Sequence, residues 1–152
     1  MLFRNKELDR ALDFVSKSDF DVFCLQEVPQ LVLKRLETLP YHIAYRIDVE
    51  RVLSMTVQPI YVVILSKYPI TAQGELPFPD YWHLLPLRTR FFVRLMRPWG
   101  FTQVRNRGGI YVDVSVGGQH VRIFNLHLIL AHPTWRLHEF ELAMAERDPA
   151  RP

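Results

Sequence analysis

Two polar side chains, Glu27 and His127, end largely apolar segments and could take part in chemistry together. Glu27 follows an apolar run over residues 22–25, and His127 follows a similar run over residues 123–126. A carboxylate oxygen is a ligand that Mg²⁺ prefers, and an imidazole can donate a hydrogen bond to a developing anion. If both runs are strands ending at one rim of a sheet, a cation at Glu27 would lie beside a phosphate at His127. Taken singly, the carboxylate is better explained as a helix-capping or solvent-facing residue, and the imidazole as a hydrogen-bonded core residue.

The segments around Glu27 predict strands and helices in alternation. Asn5 can cap a helix over residues 6–17, which has an apolar stripe at helical spacing. The nearly continuous apolar residues over 21–28 then predict a buried strand, and Pro29 suits the first turn of a second helix. This order favours a layered α/β domain over an all-β one. Further strands are predicted over residues 41–48, 59–66 and 70–75, while residues 87–107 fit a strand or a short helix.

The segment that carries His127 has the pattern of a β-hairpin. Apolar and polar residues alternate over 110–116, which predicts a strand with two unlike faces. Gly117 and Gly118 supply a two-residue turn that needs positive φ, and residues 121–128 are predicted to return as the partner strand. A last helix is predicted over residues 134–147.

The composition is that of one ordinary globular domain. The chain has 152 residues, of which 49% are apolar and 23% charged. We predict a domain over residues 1–147 and a disordered tail over 148–152. No apolar run approaches the roughly 20 residues needed to cross a bilayer, and Cys24 is the single cysteine, which excludes an intrachain disulfide and cysteine-based zinc clusters. Cys24 is expected to be a small buried hydrophobe, and the location to be cytoplasmic.

Positive charge is concentrated in one part of the chain. The net charge is only +3, yet residues 81–111 contain no acidic residue. Such a local excess attracts polyanions, nucleic acid among them, although a solvated surface of arginines lying over apolar neighbours is the favoured explanation of the charge pattern alone. The arginines of this segment are Arg88, Arg90, Arg94, Arg97, Arg105 and Arg107.

Three segments together resemble the endonuclease/exonuclease/phosphatase superfamily of metal-dependent phosphoesterases. They are Leu-Gln-Glu-Val at 25–28, Ser-Lys-Tyr-Pro-Ile at 66–70 and Asn-Leu-His-Leu at 125–128. The resemblance implies an incomplete four-layer α/β sandwich, in which two mixed or antiparallel sheets are flanked by helices. It also implies that Glu27 binds Mg²⁺ or Mn²⁺ and that His127 contacts the scissile phosphate. Asn125 and Arg107 are weaker candidates for phosphate contacts, and the segment at 66–70 is expected to be a structural turn.

The chain also departs from the pattern of that superfamily. An opening strand ending in a metal-site asparagine, a Gly-Asp-x-Asn motif and a late Asp-His pair are not found in the 152 residues. By resemblance the protein is a phosphoric-ester hydrolase, of the phosphodiesterase or nuclease kind, and the missing motifs imply that this chain alone is a poor catalyst that associates through exposed sheet edges. The alternative is a non-catalytic remnant that binds phosphorylated ligands or nucleic acid through its arginines. The substrate stays open among DNA, RNA, inositol phosphate and lipid headgroups.

Overall fold

The computed structural model describes residues 5–53, 56–96, 103–105, 107–129 and 132–146. Helices precede and follow two blocks of strands in this part of the chain. The elements in order are α1 (Asn5–Lys17), β1 (Val22–Pro29), α2 (Gln30–Leu36), β2 (His42–Leu53), β3 (Thr56–Ser66), β4 (Ile70–Pro77), a single 3-10 turn (Tyr81–Leu84), α3 (Leu87–Met96), β5 (Gln103–Arg105), β6 (Gly108–Val116), β7 (Gln119–Asn125) and α4 (Pro133–Ala145).

The strands form two antiparallel sheets that pack face to face. Sheet I has the order β1-β3-β2-β5, and sheet II has the order β4-β6-β7. β3 is central in sheet I, and the side chains of Val62, Val63, Ile64 and Leu65 have no exposed surface. Because β3 is covered on both faces, its sequence is a continuous apolar run rather than an alternating one.

Three buried clusters define four layers. One lies between sheet I and the helices α1 and α2, with Leu12, Leu36 and Val63 at its centre. The second lies between the two sheets, and the third joins sheet II to α4 through Ala143. The layer order is therefore helices, sheet I, sheet II, helix. This confirms the predicted α/β sandwich of two sheets flanked by helices.

Most predicted elements are present, and several boundaries differ. The helix at the start and the hairpin are confirmed, although the capping role of Asn5 falls on a side chain outside the described part. Pro29 pairs with Ile60 at the end of β1, so α2 begins one residue later. The ambiguous stretch 87–107 contains helix α3 and the short strand β5. The predicted tail at 148–152 and Arg97 lie outside the described residues.

Two predicted turns have the expected chemistry. Gly117 and Gly118 have φ of 58° and 80° and join Val116 to its register partner Gln119. Positive φ at both positions is what a two-residue hairpin turn needs and what glycine tolerates without strain. At the other turn, the Ser66 hydroxyl accepts a hydrogen bond from the Tyr68 amide at 3.0 Å. The segment at 66–70 is therefore a tight structural turn.

Cys24 is exposed, so the expectation of a buried cysteine was wrong. β1 is an edge strand of sheet I, and Cys24 lines an apolar groove of about 290 Å³ between that strand and the helices α1 and α2. Partial burial nevertheless raises the pKa of the thiol. Among the described helices the longest have 13 residues, and none is apolar and long enough to cross a membrane.

Candidate active site

Glu27 lies at a β-bulge in β1. The pairing of β1 with β3 shifts register between Leu25 and Val28, and Glu27 has a φ of 53°. A left-handed backbone is unfavourable for a residue with a Cβ and persists where surrounding structure enforces it, often at functional sites. The sequence predicted Glu27 at the end of the strand. The bulge within the strand instead turns its carboxylate outward, where 59% of the side chain is exposed.

Asp48 lies at a second bulge, at the same level of sheet I. The pairing of β2 with β3 shifts register between Ile47 and Val49. Val28 of β1 and Ile47 of β2 both pair with Tyr61 of β3. The two bulges therefore flank one short stretch of the central strand. Unlike Glu27, the Asp48 carboxylate is fully buried.

His127 lies between these two carboxylates. Its Nδ1 is 2.5 Å from Asp48 Oδ2, and its Nε2 is 3.9 Å from Glu27 Oε1. The bond at Nδ1 fixes the orientation of the ring, so Nε2 is the nitrogen on the side of Glu27. The predicted strand through residue 128 was too long, because β7 ends at Asn125. His127 is carried by the segment after it, 24% of its side chain exposed.

The environment raises the pKa of His127. The hydrogen bond to Asp48 is the largest cause, burial opposes it, and the charges of Asp48 and Glu27 add to the increase while that of Arg107 reduces it. Asp48 Oδ1 is buried and accepts no hydrogen bond from the described residues. The negative charge of this carboxylate therefore acts mainly on the imidazole, which stays protonated to a higher pH than an isolated histidine.

Asn125 connects the two sheets beside the site. Its amide nitrogen donates to the carbonyl oxygens of Leu25 at 2.9 Å and Val63 at 3.0 Å, and its amide oxygen accepts from Gln26 Nε2 at 3.2 Å. Gln26 Nε2 also donates to the Leu126 carbonyl at 2.9 Å. Asn125 is 2% exposed and both of its polar atoms are engaged by the protein. It fixes the segment of His127 against the strand of Glu27, while its predicted phosphate contact stays a prediction.

Arg107 holds the segment of His127 from the opposite side. Its Nη1 donates to Glu139 Oε1 at 2.8 Å, and its Nη2 donates to the His127 carbonyl at 2.9 Å. The other oxygen of Glu139 accepts from the Ile129 amide at 2.7 Å, and Glu139 is completely buried in α4. Arg107 holds the His127 carbonyl directly and Glu139 holds the Ile129 amide, so the pair fixes the segment that follows β7. The predicted phosphate contact of Arg107 stays a prediction.

The sequence did not reveal Asp48, Gln26 or Glu139. Asp48 and His127 are 79 residues apart, and Arg107 and Glu139 are 32 apart. Contacts at these separations leave no local periodicity to detect. An acidic residue between the apolar residues Ile47 and Val49 was the only available signal for Asp48, because a carboxylate that becomes buried needs a partner.

The described side chains around Glu27 could bind a divalent cation only through a small number of protein ligands. Among the described residues no group of three or more His, Cys, Asp or Glu side chains is arranged to hold a metal ion. Mg²⁺ is nonetheless often bound through one or two carboxylates while it keeps several waters. The outward-turned, half-exposed carboxylate of Glu27 fits a largely hydrated ion of that kind.

Replacing Asp48 with asparagine is expected to lower the pKa of His127, because it removes the hydrogen bond and the charge that raise it. The imidazole proton signals in an NMR pH titration of the chelator-treated chain would show this. An elevated folded-state pKa stabilises the fold below the unfolded histidine pKa of about 6.5. This contribution is lost as the pH rises through the folded value, so the stability difference between wild type and D48N should shrink above about pH 6.5. The exposed His138 is the internal control, and an unchanged His127 titration would contradict the assigned pairing.

Comparisons with known proteins identify the family and the fold of the chain. The sequence model described as the Endonuclease/Exonuclease/phosphatase family matches residues 2–152. A solved endonuclease/exonuclease/phosphatase family protein from Leptotrichia buccalis C-1013-b superposes with a TM-score of 0.58 at 11% identity, covering 93% of this chain and 57% of the other. The endonuclease/exonuclease/phosphatase from Beutenbergia cavernae DSM 12333 gives a TM-score of 0.54 at 17% identity, covering 91% and 37%.

These structural similarities establish a shared fold at low sequence identity. The chain spans about half the length of the first solved relative and about a third of the second. No curated protein matches the sequence.

Proposed function

We propose, since the chain belongs to the Endonuclease/Exonuclease/phosphatase family, that Glu27, His127 and Asp48 form part of a site for metal-dependent hydrolysis of phosphate esters. The observation that carries this proposal is the approach of His127 Nε2 to within 3.9 Å of Glu27 Oε1, from segments 100 residues apart in sequence. The Glu27 carboxylate lies at a strained bulge and the His127 imidazole is oriented by the buried Asp48. Their proximity is therefore better explained by a function than by stabilisation of the fold.

Glu27 would hold Mg²⁺ or Mn²⁺ through its exposed carboxylate. When bound, such a cation supplies Lewis-acid polarisation of a phosphate oxygen. The residues of the chain supply the remaining interactions. Asp48 accepts a hydrogen bond from His127 Nδ1–H and favours the protonated imidazolium, whose Nε2–H can donate to a phosphate oxygen as the negative charge on that oxygen increases. Arg107 and Asn125 keep the two segments in place.

The raised pKa of His127 is suited to this role. A protonated imidazole both donates a hydrogen bond and places positive charge next to a phosphate, and charge-assisted hydrogen bonds are about twice as strong as neutral ones. The His127 side chain is 24% exposed, with Nε2 on the side of Glu27. His127 is therefore assigned to contact the substrate, and Asp48 is a positioning residue that acts through it.

Binding of phosphorylated ligands without turnover is the second candidate function. It is supported by the lack of a three-ligand metal cluster among the described residues, since a single carboxylate binds a divalent cation weakly. In this case His127 Nε2 would bind a phosphate that is not cleaved, and a nucleic acid is one candidate partner. The two functions differ in whether cleavage of a diester accompanies binding.

Titration with Mn²⁺, followed by the loss of the free-ion EPR signal, tests the cation site. Glu27→Gln is expected to weaken Mn²⁺ binding at least about 10-fold, because even outer-shell partners of metal ligands are worth about 10–100-fold in affinity. The matched control is Glu141→Gln, at an exposed carboxylate on α4. Equal Mn²⁺ affinity for wild type and E27Q would refute the assignment of Glu27.

A further inference from the structure

Exposed apolar side chains are concentrated on one short part of the molecule. Leu84, Leu87, Phe91 and Leu95 are 66%, 76%, 69% and 61% exposed. Leu84 ends the 3-10 turn and the other three belong to α3, none of whose described side chains is a member of the three buried clusters. A contiguous group of large exposed apolar residues on a folded domain marks a site of interaction.

The spacing on α3 produces a stripe. Leu87, Phe91 and Leu95 are four residues apart, so successive members are rotated by only about 40° around the helix axis. Viewed along the helix axis, the stripe extends from Leu87 to Leu95 over about 80°. Arg88 and Arg94 are exposed, and they lie on opposite sides of it, Arg88 about 20° beyond Leu95 and Arg94 about 20° before Leu87. We call Leu84, Leu87, Arg88, Phe91, Arg94 and Leu95 the α3 surface.

The 3-10 turn that precedes α3 packs against α4 of the domain. The Tyr81 ring stacks on the Trp135 ring of α4 at a centroid distance of 4.7 Å, and the Tyr81 hydroxyl donates to the Trp135 carbonyl at 3.4 Å. Arg90 has its Nε buried, so its side chain is directed away from the stripe. The 3-10 turn is thereby held to the domain, and the apolar stripe faces outward.

Charge indicates the class of partner. The chain contains no acidic residue over 81–111, so the α3 surface has positive charge on both sides of an apolar stripe and no acidic residue in its own segment of the sequence. This is the pattern of helices that lie in the plane of an anionic bilayer. Arginine stems can extend along apolar surface while their guanidinium groups reach the phosphate level.

The aliphatic residues favour a bilayer over a nucleic acid. Single-stranded nucleic acids bind through aromatic rings on which bases stack, whereas three of the five exposed large apolar residues over 84–95 are leucines, the other two being Phe91 and Phe92. Leucine gains free energy by entering the acyl boundary and gains nothing from stacking. Arg88 projects between the directions of Leu95 and Phe92, from where its guanidinium can extend past the apolar residues to the phosphate level of a bilayer. We infer that the α3 surface binds anionic lipid bilayers.

Binding of the full chain to vesicles in the presence of EDTA tests this inference independently of the proposed cation site. Co-sedimentation is expected with vesicles of phosphatidylserine and phosphatidylcholine, and not with vesicles of phosphatidylcholine alone. Because each arginine near an anionic surface contributes about 5-fold, R88Q/R94Q should reduce the partition coefficient about 25-fold and abolish most of its salt dependence. L87Q/L95Q should reduce it at least about 10-fold at every salt concentration.

Leu137→Gln is the matched control, since Leu137 is a 56% exposed leucine on α4. Because all substituted residues are exposed, the variants should have the same midpoint of thermal unfolding as wild type, which circular dichroism would verify. Absence of binding to phosphatidylserine vesicles would overturn the inference, as would equal binding by wild type and L87Q/L95Q. Tight binding of a single-stranded oligonucleotide that depends on the arginines and not on the leucines would assign the surface to nucleic acid instead.

Discussion

Replacing His127 with alanine is expected to slow the Mn²⁺-dependent cleavage of bis(p-nitrophenyl) phosphate by about 10²–10³-fold, the usual cost of removing one oriented donor to a developing oxyanion. The donor in question is Nε2, which Asp48 orients through the 2.5 Å contact at Nδ1. The rate of p-nitrophenolate release under saturating Mn²⁺ is the measurement. Saturation separates the effect of His127 from an effect on cation binding.

His138→Ala is the control for this experiment, because His138 is exposed on α4. Asp48→Asn should give an intermediate loss and should shift the pH–rate profile toward lower pH, since the pKa of His127 falls with the loss of its partner. A purely structural role of Asp48 would leave the pH profile unchanged. If H127A cleaves as fast as wild type, the catalytic assignment fails. If wild type binds Mn²⁺ and phosphate without cleaving the diester, the non-catalytic function is supported.

Replacing Glu139 with alanine is expected to lower the free energy of unfolding by about 3–5 kcal/mol, the typical cost of breaking a buried ion pair by removing one partner. Glu139 is completely buried, and its two oxygens accept from Arg107 Nη1 and from the Ile129 amide. The substitution would leave the Arg107 guanidinium, only 17% exposed, without its counter-charge. Urea denaturation followed by circular dichroism would measure the difference.

Glu141→Ala, two residues further along the same helix, provides the comparison because Glu141 is exposed. Its effect should stay within about 0.5 kcal/mol, as for most surface substitutions. Equal losses for E139A and E141A would mean that the Arg107–Glu139 pair contributes little to the fold. Since Arg107 also holds the His127 carbonyl, E139A should reduce cleavage even at temperatures where it remains folded.

The hairpin and the first helix could be predicted from sequence because their signals are local. Alternation over 110–116 and the Gly117-Gly118 turn determine one hairpin register, and the apolar stripe of α1 determines which face is buried. The α3 segment could not be assigned in the same way. Its leucines and phenylalanines face outward, so its apolar pattern does not identify a side that packs on a core.

The candidate site could be predicted only in part, for a related reason. Glu27 and His127 belong to short segments with a characteristic order of residues, which a sequence retains. The bulges at Glu27 and Asp48 shift strand pairing by one residue. They could not be predicted from the residue types, because neither position is a glycine. Asp48 and Glu139 were missed because their partners are distant in the chain and become neighbours only in the folded protein.

The amide of Asn125 has a consequence for the kinetics of the fold. It bonds to Leu25 and Val63, which are 100 and 62 residues away in sequence, so these bonds close long loops and are expected to form late, when sheet II docks on sheet I. Glu27 and His127 are expected to come together in the same event. In that order of folding, a ligand that bridges them does not stabilise the transition state and stabilises the native state by mass action. Such a ligand should slow unfolding in proportion to its affinity and leave the folding rate unchanged.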